Sequence, residues 1–595
     1  MALKRLQFGS YEFFMLAIVL LASLLRVLLI DQHWPVTNSD EGVMDLMALH
    51  IANHGEHPIF FYGQDYMGAL EAYIGAGMFQ IFGASVFALR LGVIPFYAFF
   101  LISMYFLTRL LYSRRLALVT ILLLSLGSSD IITRQLKAIG GYPETFFFAA
   151  LIFLLASKIA LSSNLEQQKR SQGHGRRWLL YGLLGFVVGL ALWIDQLILP
   201  FIATTGLLLL LFCRRDLFSR AGLCALLGIA LGALPLIYYN LTSPFEHNSL
   251  IVLMNLQRSG IDDLAVRHIP RIQQLSGAFF ISLPAIMALN PLCSIENFPL
   301  FGQVTAQNAH CALIQGGWSL GYTVLWIWAA LLAIRALWRL WMLQSDWSCV
   351  EKQTCIKQYA RLLLLLSAAL SFALYATSPG AALSPATNTR YLICMLVALP
   401  AVLWPLWPRA TTTSTGLHPL TPDLPQSSQA VSKDEKRSFT EKRWPFPFIL
   451  QGSILLLIAF MFISGTIRVV ADIPAAQETY NKQQGLIEYL ELIGATRIYT
   501  DYWTCYRIAF QSNEKIICAN LTEDLKYGPD SVNRYTPYYE QVQAVSQPTY
   551  VFPRQSLQAT NFARQMQAHN ISYKYSEFGD YIVYQFTAPI GIPSA

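Results

Sequence analysis

The sequence predicts an α-helical polytopic membrane protein that ends in a small soluble α/β domain. Two observations lead to this fold class. Of the 595 residues, 54% are hydrophobic and only 13% are charged, whereas roughly a quarter of the residues in soluble proteins are charged. The hydrophobic residues are also gathered into blocks of roughly 18 to 24, the length that an α-helix needs to cross a bilayer.

About eleven such blocks are predicted to be transmembrane helices. The first contains Arg26 and has no clear small-residue cleavage site, so we interpret it as an anchor and not as a signal peptide. The predicted spans are 11–30, 85–108, 116–131, 143–160, 178–194, 197–213, 221–239, 319–340, 361–378, 389–407 and 447–468.

The distribution of Lys and Arg predicts the orientation of these spans. If the N-terminus is cytoplasmic, the loops on that side hold 24 of the 42 basic residues, as the positive-inside rule requires. An odd number of spans then places residues 469–595 outside the cytoplasm. The net charge of +7 is mostly a topological signal, so we expect no nucleic-acid partner. Short loops and few glycosylation sequons favour a bacterial plasma (inner) membrane.

Two domains follow from this topology. The first, 1–468, is the transmembrane domain; it includes an acidic first exterior loop at 31–84, a long exterior loop at 240–318, and a Ser-, Pro- and Thr-rich stretch at 409–446 that is typical of a disordered cytoplasmic linker. The second, 469–595, alternates helical and extended patterns. We predict helices at 475–493 and 555–568, strands at 497–500, 514–521 and 549–552, and a hairpin of 571–575 with 581–586.

The nine cysteines do not form a disulfide framework, but two pairs fall in predicted exterior segments. Cys293 with Cys311, and Cys505 with Cys518, are each positioned to form a bridge in an oxidising compartment, and spacing alone leaves both bonds undecided.

The first exterior loop is the most unusual segment of the chain. Between Val27 and Leu89 it has no Lys or Arg, but it has seven acidic residues. Asn38 or Ser39 is predicted to cap a helix that runs to about Asn53. This helix would carry Asp40 and Glu41 in its first turn, and its apolar stripe would suit the membrane surface. The carboxylates would then lie at the depth of a lipid phosphate.

These residues resemble a known family. The stretches LLRVLLI, SDEGVMDLMALHI and YGQDYMGALEAYIGAGMFQIFGASVFALRL are similar to the first helix and first exterior loop of GT-C superfamily glycosyltransferases, nearest to the protein O-mannosyltransferase and aminoarabinose-transferase branch. The resemblance is good over residues 15–110. It departs at Gly63-Gln64-Asp65-Tyr66, where the family often has a proline pair, and residues 469–595 match none of these motifs.

The resemblance implies a glycosyltransferase that uses a dolichyl- or polyprenyl-phosphate sugar, with Asp40 as its catalytic base. The chemistry of the residues agrees, because a carboxylate can take the proton of an acceptor hydroxyl as the anomeric carbon is attacked. Glu41 is predicted to assist in catalysis, in acceptor binding or in metal binding. For both residues the alternative is a favourable acid in the first turn of a helix.

Further residues are expected to complete the site. A departing phosphate needs positive charge, and helix-end snorkelling is the alternative role for basic residues there. The predicted phosphate ligands are Arg134, Lys137 and Arg390, and the predicted acceptor or second-acid residues are Asp65, Glu144 and Asp195. A divalent metal is a possible cofactor, with Asp40, His50 and His54 as weak candidate ligands. The expected partners are the lipid-linked donor, membrane lipid, and a glycan, lipid or protein acceptor, as in protein glycosylation or cell-envelope modification.

Two other functions fit the sequence less well. A transporter or flippase of lipid-linked sugars would explain the spans and the exterior acids, but transporters usually place ionisable residues near the bilayer midplane. An inactive relative with a receptor or scaffold domain at its C-terminus is the third interpretation.

Overall fold

The computed structural model describes residues 9–168, 174–262, 269–293, 305–342, 349–407, 448–525, 533–569 and 571–586. The predicted linker 409–446 and part of the predicted loop 240–318 lie outside these ranges. The α-helices that precede the C-terminal domain are Ser10–Asp31, Ser39–His54, Leu70–Phe82, Val86–Leu111, Arg114–Leu124, Ser129–Leu136, Tyr142–Gln168, His174–Ile194, Leu199–Phe212, Arg214–Leu217, Arg220–Gly232, Leu234–Thr242, Ser249–Asp262, Arg271–Gly277, Leu283–Ile286, Ala306–Met342, Cys349–Ala376, Gly380–Leu383, Leu399–Leu403 and Phe448–Ala471.

Helical segments of other types lie between some of these helices. The 3₁₀ segments are Gln196–Ile198, Phe245–His247, Thr387–Ala398 and Trp404–Leu406, and Ala278–Ser282 is a π-helical turn.

The described residues confirm a multi-pass membrane protein. Eight helices are long and apolar enough to span a bilayer, and two bent helix pairs raise the number to ten. The bent pairs, Arg114–Leu124 with Ser129–Leu136 and Arg220–Gly232 with Leu234–Thr242, turn by 89° and 63°. They correspond to the predicted spans 116–131 and 221–239. The predicted span 197–213 is the shorter apolar helix Gln196–Phe212.

The first loop and the C-terminal domain lie on the same face of the helix bundle. The helix Tyr502–Gln511 packs directly against the helix Ser39–His54, so the chain must cross the membrane an even number of times between them. Among the described residues, eight single spans, two bent pairs and the helix Gln196–Phe212 make the odd total that this requires if each crosses the membrane once. We call the face that carries both elements the domain face.

The buried arginine of the first span, Arg26, has hydrogen-bond partners inside the bundle. Arg26 has 0% exposure. Its guanidinium donates to the carbonyl of Ser125 at 2.5 Å and to the side-chain oxygen of Gln135 at 2.5 Å, and it lies 4.5 Å from the centre of the Tyr97 ring. A charge in the membrane is expensive unless it is paired in this way, so Arg26 fixes the first helix against its neighbours.

Glycines bring two membrane helices into backbone contact. A Cβ atom added to Gly228 or Gly232, on Arg220–Gly232, would collide with the backbone of His174–Ile194. A Cβ atom added to Gly189, on His174–Ile194, would likewise collide with the backbone at Ile229. Small residues four positions apart allow helices to approach closely in lipid, where the hydrophobic effect does not drive their association.

The C-terminal domain is built on a five-stranded sheet with the order β2-β1-β3-β5-β4. Strands β1 to β3 are parallel, and β4 and β5 form an antiparallel hairpin at the end of the sheet. The strands are β1 Arg497–Thr500, β2 Ile517–Asn520, β3 Thr549–Pro553, β4 Tyr573–Phe578 and β5 Tyr581–Phe586, and the helices are Ile473–Leu492, Tyr502–Gln511, Thr536–Gln543 and Leu557–Ala568.

All predicted strands of this domain are present. The helices Tyr502–Gln511 and Thr536–Gln543 were not predicted from the sequence. The domain is closed by the disulfide Cys505–Cys518, and a second disulfide, Cys293–Cys311, joins the membrane-domain loop to the start of a long helix. Both bonds that the spacing left undecided are therefore formed.

The glycine contact leads to a stability prediction. Gly228→Leu should lower the free energy of unfolding by about 1–3 kcal/mol, because the added side chain has no room between the two backbones. Thermal unfolding of the detergent-purified chain would measure this change. Gly206→Leu is the matched control, since a Cβ at Gly206 meets no atom within 4 Å. Equal unfolding temperatures for the two variants would contradict the packing account.

Candidate active site

The C-terminal domain docks on the first turns of the helix Ser39–His54. A Cβ added to Gly42 would lie 2.7 Å from the backbone carbon of Tyr506 and 2.8 Å from the backbone nitrogen of Arg507. Only glycine leaves room for this approach. The predicted apolar stripe of this helix is therefore covered by protein. All residues from Glu41 to His50 are buried, and the helix Tyr502–Gln511 is a large part of the cover.

Hydrogen bonds fix the docking at Ser39 and Asp40. The Ser39 hydroxyl donates to the carbonyl of Tyr502 and accepts from the backbone N–H of Tyr506 at 3.3 Å. The hydroxyl of Tyr502 donates to the Asp40 carboxylate. The helix begins as predicted, with the Asn38 side chain accepting from the N–H of Glu41 at 3.2 Å. Asp40 is thus held by a residue from the other domain.

Glu41 has a different environment from the one that the sequence led us to expect. Its side chain has 0% exposure and accepts two hydrogen bonds from Arg90, at 2.7 and 2.6 Å. Burial raises the pKa of Glu41, but the charge and hydrogen bonds of Arg90 outweigh that effect and leave the pKa below its ordinary value. Because both oxygens bind Arg90, the geometry supports a positioning role for Glu41 and not direct catalysis.

One turn further along the same helix, Asp45 is also completely buried. Neither of its carboxylate oxygens has a hydrogen-bond partner among the described residues. Burial, with the nearby charge of Glu41, raises the pKa of Asp45 well above its ordinary value. This site therefore disfavours the charged form of Asp45, because an unpaired charge would be very costly there.

The three predicted phosphate ligands converge on Asp40. The charges of Arg134, Lys137 and Arg390 each interact with the Asp40 carboxylate. Arg134 donates to the carbonyl of Thr387 at 3.4 Å, which joins two of the helices that carry these cations. The structure thus brings together one acid and three bases from three separate segments of the chain.

Two of these cations are only partly satisfied by the protein. The Nε atoms of Arg134 and Arg390 are buried without a hydrogen-bond partner among the described residues. Lys137 is 7% exposed. Burial lowers the pKa of Lys137, and the charge of Glu41 raises it in part. The charges of the nearby arginines lower it further, and the resulting pKa is about 8. These groups retain donor capacity for an anion.

A fourth cation, Arg534, comes from the C-terminal domain. Its Nε atom lies 3.4 Å from the Tyr502 hydroxyl, and its Nη1 atom donates to the carbonyl of Gly63 at 3.3 Å. When the amide of Gln64 is turned so that its oxygen faces Arg534, that oxygen accepts two further hydrogen bonds at 3.1 and 2.9 Å. Arg534 therefore holds the Gly63-Gln64-Asp65-Tyr66 segment in place. This is the segment where the sequence departs from the family that it resembles.

Of the predicted acceptor or second-acid residues, only Asp195 faces this group. Its charge interacts with that of Arg390. Burial raises the pKa of Asp195 to about 7. Two effects lower the pKa in part: a hydrogen bond of 2.9 Å that the Asp195 side chain accepts from the N–H of Leu197, and the charge of Arg390. Asp195 titrates near neutral pH, which suits a group that exchanges a proton.

Asp65 and Glu144 are placed elsewhere. The carboxylate of Asp65 lies 3.0 Å from Nδ1 of His247 and also interacts with Tyr239. Glu144 has 0% exposure and interacts with Glu71, so an acceptor has no access to it in this structure. Burial raises the pKa of Glu71 to about 7, which is expected when two buried carboxyl groups share a proton.

The candidate metal ligands Asp40, His50 and His54 do not lie together in the structure. Among the described residues, the one group of potential ligands is His50, His54 and Glu514, whose ligand atoms lie within 4.8 Å of one another. Asp40 does not belong to this group. Ten helical residues separate Asp40 from His50, which corresponds to about 15 Å.

Sequence reasoning missed Arg90 and Arg534. Arg90 carried a signal, since it is the arginine of the phrase ALRL in the family resemblance. Arg534 carried none, because it lies in an irregular segment between β2 and the helix Thr536–Gln543.

Solved structures share this architecture. ArnT from Cupriavidus metallidurans, solved with bound undecaprenyl phosphate, matches with a TM-score of 0.50 and 12% identity, over 99% of this chain and 100% of that one. The chain has the fold of ArnT. The GT-C-like fold predicted from the first loop is thereby confirmed, and at this identity the likeness concerns the fold.

Other solved structures match the chain with lower TM-scores. The oligosaccharyltransferase AglB from Archaeoglobus fulgidus, in complex with an inhibitory peptide and a dolichol-phosphate, matches with a TM-score of 0.44 and 14% identity, over 98% of this chain and 75% of that one. The same organism's oligosaccharyltransferase tethered to an acceptor peptide gives 0.48 and 14%, over 97% and 74%. No family model and no curated protein match the chain.

The position of Glu41 predicts the outcome of a mutant cycle. Arg90→Met should destabilise the chain by about 3–5 kcal/mol, because it leaves a buried carboxylate unpaired. The double variant Glu41→Met/Arg90→Met should recover much of that loss. Thermal unfolding in detergent would measure both changes. Additive losses would show that the two side chains do not form the pair described here.

Proposed function

We propose that the chain is an inverting glycosyltransferase that moves a sugar from a polyprenyl-phosphate donor to an acceptor hydroxyl at the domain face. The observation that carries this proposal is the convergence of Arg134, Lys137 and Arg390 on the Asp40 carboxylate. A base beside a cluster of cations suits a reaction in which a hydroxyl loses a proton while a phosphate departs with negative charge.

The proposed reaction assigns each group a role. Asp40 accepts the proton of the acceptor hydroxyl, and the hydroxyl oxygen attacks the anomeric carbon from the face opposite the phosphate. The bond between that carbon and the phosphate oxygen breaks, and its electron pair leaves with the lipid phosphate. The configuration at the anomeric carbon is inverted. Arg134, Lys137 and Arg390 stabilise the phosphate charge, and arginine is suited to this by its two parallel donors.

The C-terminal domain contributes positioning groups in this proposal. Tyr502 holds one Asp40 oxygen through its hydroxyl, so that the second oxygen is aimed at the acceptor. Arg534 holds Tyr502 and the Gly63-Gln64 turn. A catalytic group must be held within a fraction of an ångström to be effective, and these contacts provide that restraint. Asp195, with a pKa of about 7, is the second acid.

The proposed donor and location follow from fold and topology. ArnT was solved with undecaprenyl phosphate, and an analogous lipid carrier would place its phosphate at the depth of the clustered cations. The basic loops put the domain face outside the cytoplasm, in a bacterial inner membrane. The donor sugar is a hexose or a pentose, and the acceptor is a glycan, a lipid or a protein.

Replacement of Asp40 tests the proposed base. Asp40→Asn should lower transfer of radiolabelled sugar from a polyprenyl-phosphate donor by about 10²- to 10⁴-fold, because the amide cannot accept the proton. Membranes with equal amounts of folded protein would be compared. Asp31→Asn is the matched control, since Asp31 is an exposed acid of the same loop and should retain native activity.

Either of two results would contradict this assignment. Native transfer by Asp40→Asn would remove Asp40 from the base role. Movement of the lipid-linked sugar across vesicles by the native chain, with no transfer to any acceptor, would favour the flippase.

The pKa of Lys137 predicts a pH dependence. Burial lowers this pKa to about 8, so Lys137 loses its charge as the pH rises through that value. The kcat/KM for the donor, which reports the free enzyme, should therefore fall above pH about 8. Lys137→Arg should remove this fall, because arginine stays charged. An identical fall in the arginine variant would assign the titration to another group.

A further inference from the structure

A second polar cluster joins the two domains at the far end of the helix Ser39–His54. His50 and His54 lie one turn apart on this helix. Glu514 reaches them from the turn between the helix Tyr502–Gln511 and β2. The Nε2 atom of His50 lies 3.1 Å from Oε1 of Glu514. The transfer reaction proposed above uses none of these residues.

We propose that His50, His54 and Glu514 form a binding site for a divalent transition metal of the zinc type. Two histidines and a carboxylate are a common ligand set for zinc, with a fourth position left for water. With bonds of about 2.0 Å, the ligand atoms of a tetrahedral zinc ion lie roughly 3.3 Å apart. The 3.1 Å separation of His50 and Glu514 is close to that value, and exposed His54 leaves a path for the ion.

The surroundings orient the ligands as a metal site requires. Nδ1 of His50 lies 3.0 Å from the hydroxyl of Tyr62, which itself donates to Glu56. The hydroxyl of Tyr538 donates to Oε1 of Glu514 at 2.6 Å. Hydrogen bonds of this kind fix the tautomer of a ligating histidine and the position of a ligating carboxylate.

Backbone strain at Glu514 is a second, independent observation. Asn513 and Glu514 have φ angles of +49° and +58°, which are in the left-handed region. Asparagine adopts this region readily, but for glutamate it is a strained conformation. Strain of this kind persists where a side chain must be presented in a particular direction, and here the direction is toward His50.

The ion would serve as a clamp between domains. It lies about 15 Å along the helix from Asp40, so it takes no part in the proton transfer. It would instead join the first loop to the C-terminal domain at the end opposite Gly42. The helix Ser39–His54 would then be held at both ends.

Zinc binding by the detergent-purified full chain tests this site without any assay of transfer. After removal of metal with a chelator, the native chain should bind about one Zn²⁺, with a rise in unfolding temperature. His54→Asn and Glu514→Gln should each weaken zinc binding at least tenfold and abolish that rise. His569→Asn is the control, because His569 is an exposed histidine of the same domain outside the cluster.

Two results would overturn the proposal. One is zinc affinity in His54→Asn equal to that of the native chain. The other is no effect of added zinc on the unfolding temperature of the native chain. Since His54 is exposed, its replacement should leave the chain folded.

Discussion

The contact between Gly42 and the backbone of Tyr506 is the constraint on which the rest of the site depends. It sets the distance between the first loop and the C-terminal domain, and a Cβ would be only 2.7 Å from the facing carbon. At that distance the Ser39 hydroxyl bonds the helix Tyr502–Gln511 at two points, and Tyr502 reaches Asp40. The soluble domain is thus a component of the candidate active site and not an appendage to the membrane part.

The acidic first loop is stable because its partners come from outside it. A run of acids with no internal cations would be repelled by anionic lipid, but nearly every carboxyl group here meets a donor from another segment or loses its charge by burial. The pairs include Asp40 with Tyr502, Glu41 with Arg90, Glu56 with Tyr535, Asp65 with His247, and Glu71 with the N–H of Gly140. Each pair also holds the loop in position.

The sequence was sufficient for features that depend on local pattern, and insufficient for those that depend on tertiary contact. Hydropathy predicts the spans, and the cap at Asn38 predicts the helix that carries Asp40, because both signals are local. The basic residues Arg134, Lys137 and Arg390 were selected from charge at helix ends, and their role toward a phosphate stays a prediction. The pairing of Glu41 with Arg90 was not predicted, because the two residues are 49 positions apart and no local rule distinguishes a paired carboxylate from a free one. Arg534 lies in an irregular segment whose position is set by the domain docking.

The central claim is that docking of the C-terminal domain completes the site. Its most direct test is the kcat for sugar transfer in Gly42→Val, compared with Gly77→Val, where a Cβ meets no atom within 4 Å. We predict that Gly42→Val remains in the membrane but loses most of its kcat, because Tyr502 can no longer reach Asp40, and that Gly77→Val transfers sugar at the native rate. Native kcat in Gly42→Val would contradict the account, because the site would then function without the close approach of the two domains.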